Sequence, residues 1–339
     1  MTTFAPQQYD TDLFSEMYLP LRKKLEEKQE KPKIIVIAGV TAVGKTELGI
    51  ELAKILNGEI ISADSMQVYR NMDIGTAKVS KEIRKEIPHH LIDICDLDEA
   101  FNVAKFYELA TVACKDIIRR GKVPIVVGGT GFYIHALLFG MPPGPHSVPE
   151  IRSQLEKQLD AMGVDVMYER LQMIDPEYAK TITHHDRKKI IRGLEIIAIS
   201  HKKVSDFPLQ KYLLPNWNYR LWFLHAPREV LYEKIEKRCY EIIDLGLIEE
   251  VKSLVDQGLL LNESAMNAIG YRQTLEYLRS NQTKQDYEIF LRDFIKATKK
   301  YSKRQITWYR KEKGFRWLDM GKYPKNQVLE YILQDYEQS

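Results

Sequence analysis

Runs of β-branched apolar residues alternate with amphipathic stretches over the first 140 positions: "IIVIA" (34–38), "EIISA" (59–63), "LIDIC" (91–95) and "VPIVV" (123–127). None shows the in-out alternation of a sheet wetted on one face. Continuous runs of this kind predict strands covered on both sides, and the helical period between them predicts a parallel α/β sheet. "GMPPGPHSVP" (140–149) interrupts the pattern with four prolines and two glycines, and the chain from there to about residue 203 keeps a helical period. "YRLWFLHA" (219–226) then returns the chain to the sheet. The organisation expected is a loose charged lead-in (1–32), a first part of the core (33–142), a helical insertion (143–214), a second part of the core with basic helices (215–320) and a C-terminal tail (321–339). No internal repeat is visible.

Composition adds bounds. With 339 residues, 44% of them apolar, the chain can bury one sizeable core and a smaller module. The net charge is only +3, so a polyanionic partner must be met by a local patch. Cys95, Cys114 and Cys239 include no C-x-x-C spacing, which argues against a disulfide framework or zinc site and for a reducing cytoplasm. A basic-then-apolar leader and a run of eighteen apolar residues are both missing, so neither secretion nor a membrane partner is expected.

The sharpest chemical signal is "GVTAVGKT" (39–46), placed between the first strand and a helical pattern. Gly39 and Gly44 let backbone N–H groups approach phosphate oxygens, Lys45 supplies a point charge, and the Thr46 hydroxyl can hold Mg²⁺ at a helix N-terminus. A nucleoside-triphosphate enzyme would place an aspartate at the end of a downstream strand, but "VPIVVGGTGFY" puts Gly128, Gly129 and Thr130 there. The carboxylate comes instead after the second strand, in "ISADSMQVYR", so Asp64 faces the crevice where open α/β sheets bind ligands. A lone Asp after a strand is commonly a helix cap; opposite a phosphate loop it reads as functional.

Taken together, "GVTAVGKT", "ADSMQVYRNMDIGTAK", "PHHLID", "VVGGTGFY", "AIGYRQ" and "KRQITWYR" resemble the tRNA dimethylallyltransferases (IPP transferases) over about residues 33–310. The resemblance implies a P-loop NTPase-like parallel sheet core with a helical insertion domain. It implies that the loop holds the diphosphate of dimethylallyl diphosphate, through Gly39, Val40, Thr41, Ala42, Val43, Gly44, Lys45 and Thr46, with Mg²⁺ on Thr46 and Arg238 nearby. Asp64 is then the general base for the exocyclic amine of the adenosine 3′ to the anticodon, and Thr130 touches that nucleotide. Contacts to the anticodon stem-loop of tRNA are implied for Asp64, Ser65, Met66 and Gln67, for Thr130, for Lys188, Lys189, Ile190, Ile191 and Arg192, and for Asn267, Ala268, Ile269, Gly270, Tyr271 and Arg272. A last set is Lys303, Arg304, Gln305, Ile306, Thr307, Trp308, Tyr309 and Arg310. The sequence departs from the family at Val40 and Val43, at Asn102 after Phe101, and at Ser200-His201 where a Ser-Gly turn is usual.

Reaching a base inside an anticodon loop requires flipping it and gripping the backbone around it. Residues 292–316 carry ten Lys or Arg against two acids, a local +8 that leaves the rest of the chain net acidic. Lys296, Lys300, Lys303 and Arg310 share a helical face, Trp308 and Tyr309 can stack on unpaired bases, and Tyr301 reads as a core aromatic. His184 and His185 have no acid or cysteine at metal spacing and read as surface or capping residues. A monomer is expected. A small-molecule P-loop kinase would have no use for the basic helix, an adenylate prenyltransferase should lack the insertion and "KRQITWYR", and a noncatalytic tRNA-binding protein would not need Asp64 beside Lys45.

Overall fold

The computed structural model describes residues 31–141, 144–207, 213–214 and 216–338. The lead-in up to residue 30 and the two joints expected near 142 and 215 lie outside the described residues. One sheet of six parallel strands organises the core, in the order β3-β2-β4-β1-β5-β6. Its strands are β1 (Lys33–Gly39), β2 (Gly58–Ala63), β3 (His89–His90), β4 (Val123–Gly128), β5 (Asn218–His225) and β6 (Arg316–Asp319). The central strands are apolar on both faces because helices cover both: Ile34, Ile35, Val36 and Ile37 of β1 have no exposed surface at all. The fold is thus an α/β parallel sheet with helices on both sides.

The helices of the first half are α1 (Lys45–Ile55), α2 (Lys81–Glu86), α3 (Val103–Arg119) and α4 (Gly131–Phe139). Between the halves of the sheet lie α5 (Pro149–Met162), α6 (Val164–Ile174), α7 (Pro176–Ala179) and α8 (Arg187–Ser200). These close over a core of their own, Leu155, Leu159, Met167, Leu171, Ile190, Ile191 and Leu194. The second half adds α9 (Arg228–Asp244), α10 (Leu247–Asp256), α11 (Glu263–Met266), α12 (Tyr271–Leu278), the long α13 (Lys284–Tyr309) and α14 (Lys325–Glu337). Among the described residues no helix is long and apolar enough to cross a membrane.

Two expectations need correction. "LIDIC" is not a strand: Leu91 and Asp93 hold positive φ angles of 64° and 55°, and the paired residues are His89 and His90 just before it. The cause is a charge cluster. The ammonium of Lys78 lies 2.5 Å from Asp93, and Arg84 holds the other carboxylate oxygen at 2.7 Å, which draws the chain into a turn. Residues 321–339, expected as a tail, contain α14, whose Val328 and Ile332 are fully buried in the main core. Lys325 pairs with Glu51 of α1 at 2.5 Å, and Lys33 donates to the carbonyl of Tyr336.

The unusual residues at two helix ends also find roles. Asn102 caps α3 by accepting from the amides of Ala104 and Lys105, each at 3.0 Å, the job a serine or threonine would do. His201 ends α8 in the left-handed region at φ 54°, where glycine is the usual occupant.

Candidate active site

Strands β1, β4 and β2 are neighbours, so the loops leaving their carboxyl ends meet in one crevice. It is lined by Thr41, Lys45 and Thr46 from the first loop, Asp64 and Gln67 from the second, and Gly128 and Gly129 from the third, with Arg238 of α9 and Tyr301 and Gln305 of α13. Gly44 stands at φ 100° immediately before α1, a conformation closed to other residues without strain, and so aims the first amides of that helix at the crevice. The apolar side of the crevice is made by Ile60, Val79, Ile92 and Val127.

The charges in the crevice suit an anion. The Lys45 ammonium donates to its own loop's Val40 carbonyl at 2.6 Å. Burial, with Arg238 as the second cause, lowers its pKa from 10.5 to about 7 despite the opposing fields of Asp64 and Glu47. Arg238 has no carboxylate partner among the described residues. Two cationic side chains and a set of loop amides thus converge in a lining whose acidic side chain is Asp64, with Glu47 acting on Lys45 from outside it.

Lys45 also makes the site sensitive to pH. Its folded pKa lies below its unfolded value, so between about 7 and 10.5 the unfolded chain holds the extra proton and stability rises with pH across that window. An anion held by this ammonium would take up a proton on binding above pH 7. Inorganic diphosphate affinity is expected to weaken by up to about tenfold per pH unit as pH rises above 7. Calorimetric titration in buffers of different ionisation enthalpy should show that uptake, and Lys45→Arg should abolish it.

Asp64 and Thr130 are joined through the backbone. One Asp64 oxygen, Oδ1, accepts from the amides of Met66 at 2.8 Å and Gln67 at 3.3 Å, and Thr130 Oγ1 accepts from the amide of Ser65 at 3.2 Å. The hydroxyl of Tyr301 interacts with Thr130 and Gln305, and burial, reinforced by the charge of Asp64, raises its pKa so that the phenol stays protonated. Tyr301 is therefore a wall of the crevice and not only a core aromatic.

Several residues expected at the tRNA surface face inward. Ile190 and Ile191 are buried in the insertion's core, since α8 turns Lys188 and Lys189 outward on its other side. Arg192 is engaged: its guanidinium donates to Glu195, which is fully buried, and to the Pro145 carbonyl at 2.6 Å. Ala268, Gly270 and Tyr271 are buried, whereas Asn267 and Arg272 are exposed and Ile269 packs on the core. Gln305 is buried and acts as a brace, accepting from the Thr41 amide at 2.9 Å and donating to the Gly129 carbonyl at 3.0 Å. It ties the phosphate loop to the end of β4. Tyr309 is buried against Phe223 with ring centroids 4.6 Å apart and is not placed to stack on a base, and Ile306 packs on the core.

Lys303, Arg304, Thr307, Trp308 and Arg310 do face solvent. Trp308 meets Phe132 edge-on at 6.3 Å and lies against Gly131, the residue after Thr130. An exposed aromatic pair therefore stands next to Thr130, with Lys300, Lys303, Arg304 and Lys311 around Trp308. Phe132 has no signature in the sequence, because "GGTGFY" continues into an apolar helix with no sign of which ring is outside. His184 and His185 do meet an acid: ligand atoms of Asp165, His184 and His185, all exposed, lie within 4.8 Å of one another. Asp165 is too distant in sequence for spacing to reveal it.

Residues 67–312 match the family described as IPP transferase. The chain is 52% identical over 310 residues to the tRNA dimethylallyltransferase of Protochlamydia amoebophila, covering 91% of this chain and 90% of that protein. With the tRNA dimethylallyltransferase of Chlamydia pneumoniae it shares 46% identity over 316 residues, 93% of this chain and 92% of the relative. Among solved structures it is similar to the full-length tRNA isopentenylpyrophosphate transferase of Bacillus halodurans, with a TM-score of 0.66 at 38% identity over 90% of this chain and 96% of that one. A eukaryotic dimethylallyltransferase crystallised acting on tRNA gives a TM-score of 0.76 at 30% identity, covering 90% of this chain and 79% of that one.

Proposed function

The chain belongs to the IPP transferase family, and on that footing we propose that it transfers a dimethylallyl group from dimethylallyl diphosphate to the exocyclic amine of the adenosine 3′ to the anticodon in tRNA. The observation that carries this reading is the crevice itself, where the loop amides, Lys45 and Arg238 converge opposite Asp64. A diphosphate binds such a set through its oxygens, and an amine brought beside Asp64 is deprotonated by it.

In the reaction the allylic carbon–oxygen bond to the diphosphate breaks and the bond from the adenine nitrogen to that carbon forms. Negative charge grows on the departing diphosphate, where Lys45, Arg238 and the amides of residues 42–46 stabilise it. The proton released by the amine passes to Asp64, whose Oδ1 is held by the amides of Met66 and Gln67. Thr130 and Tyr301 line the approach to that carboxylate. The Thr46 hydroxyl, a hard oxygen donor in the same crevice, fits Mg²⁺. Bound there, the ion would neutralise part of the diphosphate charge.

The adenosine must leave its stack to enter. Trp308 and Phe132 offer rings to the neighbouring bases, and Lys303, Arg304, Lys188 and Arg272 offer cations to the backbone. Mass analysis of tRNA incubated with the protein, Mg²⁺ and dimethylallyl diphosphate tests the proposal. A gain of one dimethylallyl group on that adenosine is expected; unmodified tRNA in the presence of both substrates overturns it.

The tRNA affinity should also fall steeply with salt. Replacing both Lys303 and Arg304 by alanine is expected to reduce the slope of log affinity against log salt by roughly 0.7 to 0.9 for each phosphate that the protein no longer neutralises. A filter-binding series from low to moderate salt reads this directly. An unaltered slope would mean that this face of α13 does not meet the RNA.

A further inference from the structure

The wall of the crevice opposite the phosphate loop is a short turn, residues 73–78, that belongs to no helix or strand yet supplies Thr76 and Ala77 to the lining, with Val79 just after it. Internally it is tight. Thr76 Oγ1 donates to the Met72 carbonyl at 2.6 Å, the Ala77 amide to Ile74 at 2.9 Å and the Lys78 amide to Asp73 at 3.0 Å. Ala77 sits at φ 47°, a conformation that costs a non-glycine residue about 1 kcal/mol or more and needs its surroundings to enforce it.

The enforcement comes from far along the chain. Glu250 on α10 turns its carboxylate onto three successive amides of the turn: Oε2 accepts from Asp73 at 2.9 Å and Ile74 at 2.6 Å, and Oε1 accepts from Gly75 at 3.1 Å. Three consecutive N–H groups aimed at one point form an anion-binding concavity, and here the anion is a side chain. The fully buried Tyr271 donates its hydroxyl to the same Oε1 at 2.6 Å. Its ring fills the space in which a Cβ on Gly75 would lie, 2.5 Å from that position. From the crevice side, Gln67 Nε2 reaches the Thr76 carbonyl at 3.2 Å.

We propose that Glu250, seated by Tyr271, is a positioning residue that fixes Thr76 and Ala77 as the wall against which the allyl group of the substrate packs. The proposal rests on the reading of the crevice as an allylic diphosphate site, and it assigns to "AIGYRQ" a task different from touching RNA. Glu250 touches neither substrate. Among the described residues its four hydrogen bonds all go to the turn or to the residue behind it, so its effect must be carried by the turn. The diphosphate is held on the other side of the crevice, by a loop that Glu250 does not contact. Loosening the turn should therefore weaken binding of the hydrocarbon part and spare binding of the diphosphate part.

The test compares equilibrium affinities for dimethylallyl diphosphate and for inorganic diphosphate, with Mg²⁺, in wild type, Glu250→Gln and Tyr271→Phe. In Glu250→Gln an amide nitrogen must face a donor that the carboxylate accepted, whereas Tyr271→Phe keeps the ring against Gly75 and removes one donor. The preference for the allylic ligand over inorganic diphosphate is expected to fall roughly tenfold in Glu250→Gln and roughly threefold in Tyr271→Phe, with the inorganic affinity unchanged. Amide exchange at residues 73–75 should accelerate in both variants while β1 and β4 stay protected. A preference equal to wild type in both folded variants overturns the positioning role, and Tyr271→Phe decides alone if Glu250→Gln does not fold. A wild-type protein that binds both ligands equally removes the allyl wall and the reading of the crevice together.

Discussion

Lys45→Ala is expected to lower prenyl transfer by roughly 10² to 10³ while leaving the protein at least as stable as before. The loss comes from charge. As the diphosphate departs, the ammonium meets growing negative charge in a site partly shut off from water, where one fixed cation is worth several kcal/mol of transition-state stabilisation. The effect on stability has the same geometric origin. Among the described residues Lys45 makes one hydrogen bond, to the Val40 carbonyl at 2.6 Å, and its pKa is pushed down to about 7, so the folded protein tolerates this ammonium poorly at neutral pH. Alanine removes that burden and is a good first residue for α1. Single-turnover transfer and a thermal melt check the two halves separately. Near wild-type transfer by the folded variant would remove the loop lysine from the chemistry.

How far the sequence reveals this site depends on the distance over which each feature is encoded. The phosphate loop is local: strand, two glycines, lysine, threonine and helix occur within about a dozen residues, and its Thr41, Lys45 and Thr46 line the crevice. Asp64 is legible for the same reason, since the end of β2 can only open onto the same edge of a parallel sheet. Residues on helices are harder. The cations of residues 292–316 are plain in the sequence, but which of their neighbours face inward depends on what α13 packs against. Gln305 and Tyr309 lie four apart on the buried side with Tyr301 one turn earlier, while Lys303, Arg304, Thr307 and Trp308 lie on the other. That spacing is enough to separate them. Ile190 and Ile191 with Leu194 likewise form the apolar stripe of an amphipathic helix, and stripe membership is the sign that they are core.

Other features have no local sign. The turn that replaces the strand expected at 91–95 is made by Lys78 and Arg84 meeting Asp93, a pairing that only the folded chain creates. Glu250 reads in sequence as one of two acids in the first turn of a helix, which favours helix formation by itself. Its second task, holding a turn 175 to 177 residues away, is visible only in three dimensions. Long-range hydrogen bonds of this kind set the shape of the crevice wall, whereas the chemistry at its centre comes from short segments.

Asp64→Asn separates binding from chemistry, and the structure makes the substitution cleaner than sequence alone suggests. Asp64 Oδ1 accepts from the amides of Met66 and Gln67, and an asparagine carbonyl oxygen can accept from both in the same place. The turn after β2 and the link from Ser65 to Thr130 should therefore survive, as should tRNA affinity measured by filter binding. What asparagine cannot do is take a proton at the second oxygen position. If Asp64 is the base for the adenine amine, the chemical step should slow by roughly 10² to 10⁴ in single-turnover transfer at saturating tRNA and dimethylallyl diphosphate. If the carboxylate serves only to cap the turn, asparagine caps equally well and both rate and stability should be almost unchanged. One variant thus gives opposite results under the two roles. Full activity in Asp64→Asn would transfer the proton to water or to another group, and would leave the charge set of Lys45 and Arg238 as the whole of the catalytic apparatus.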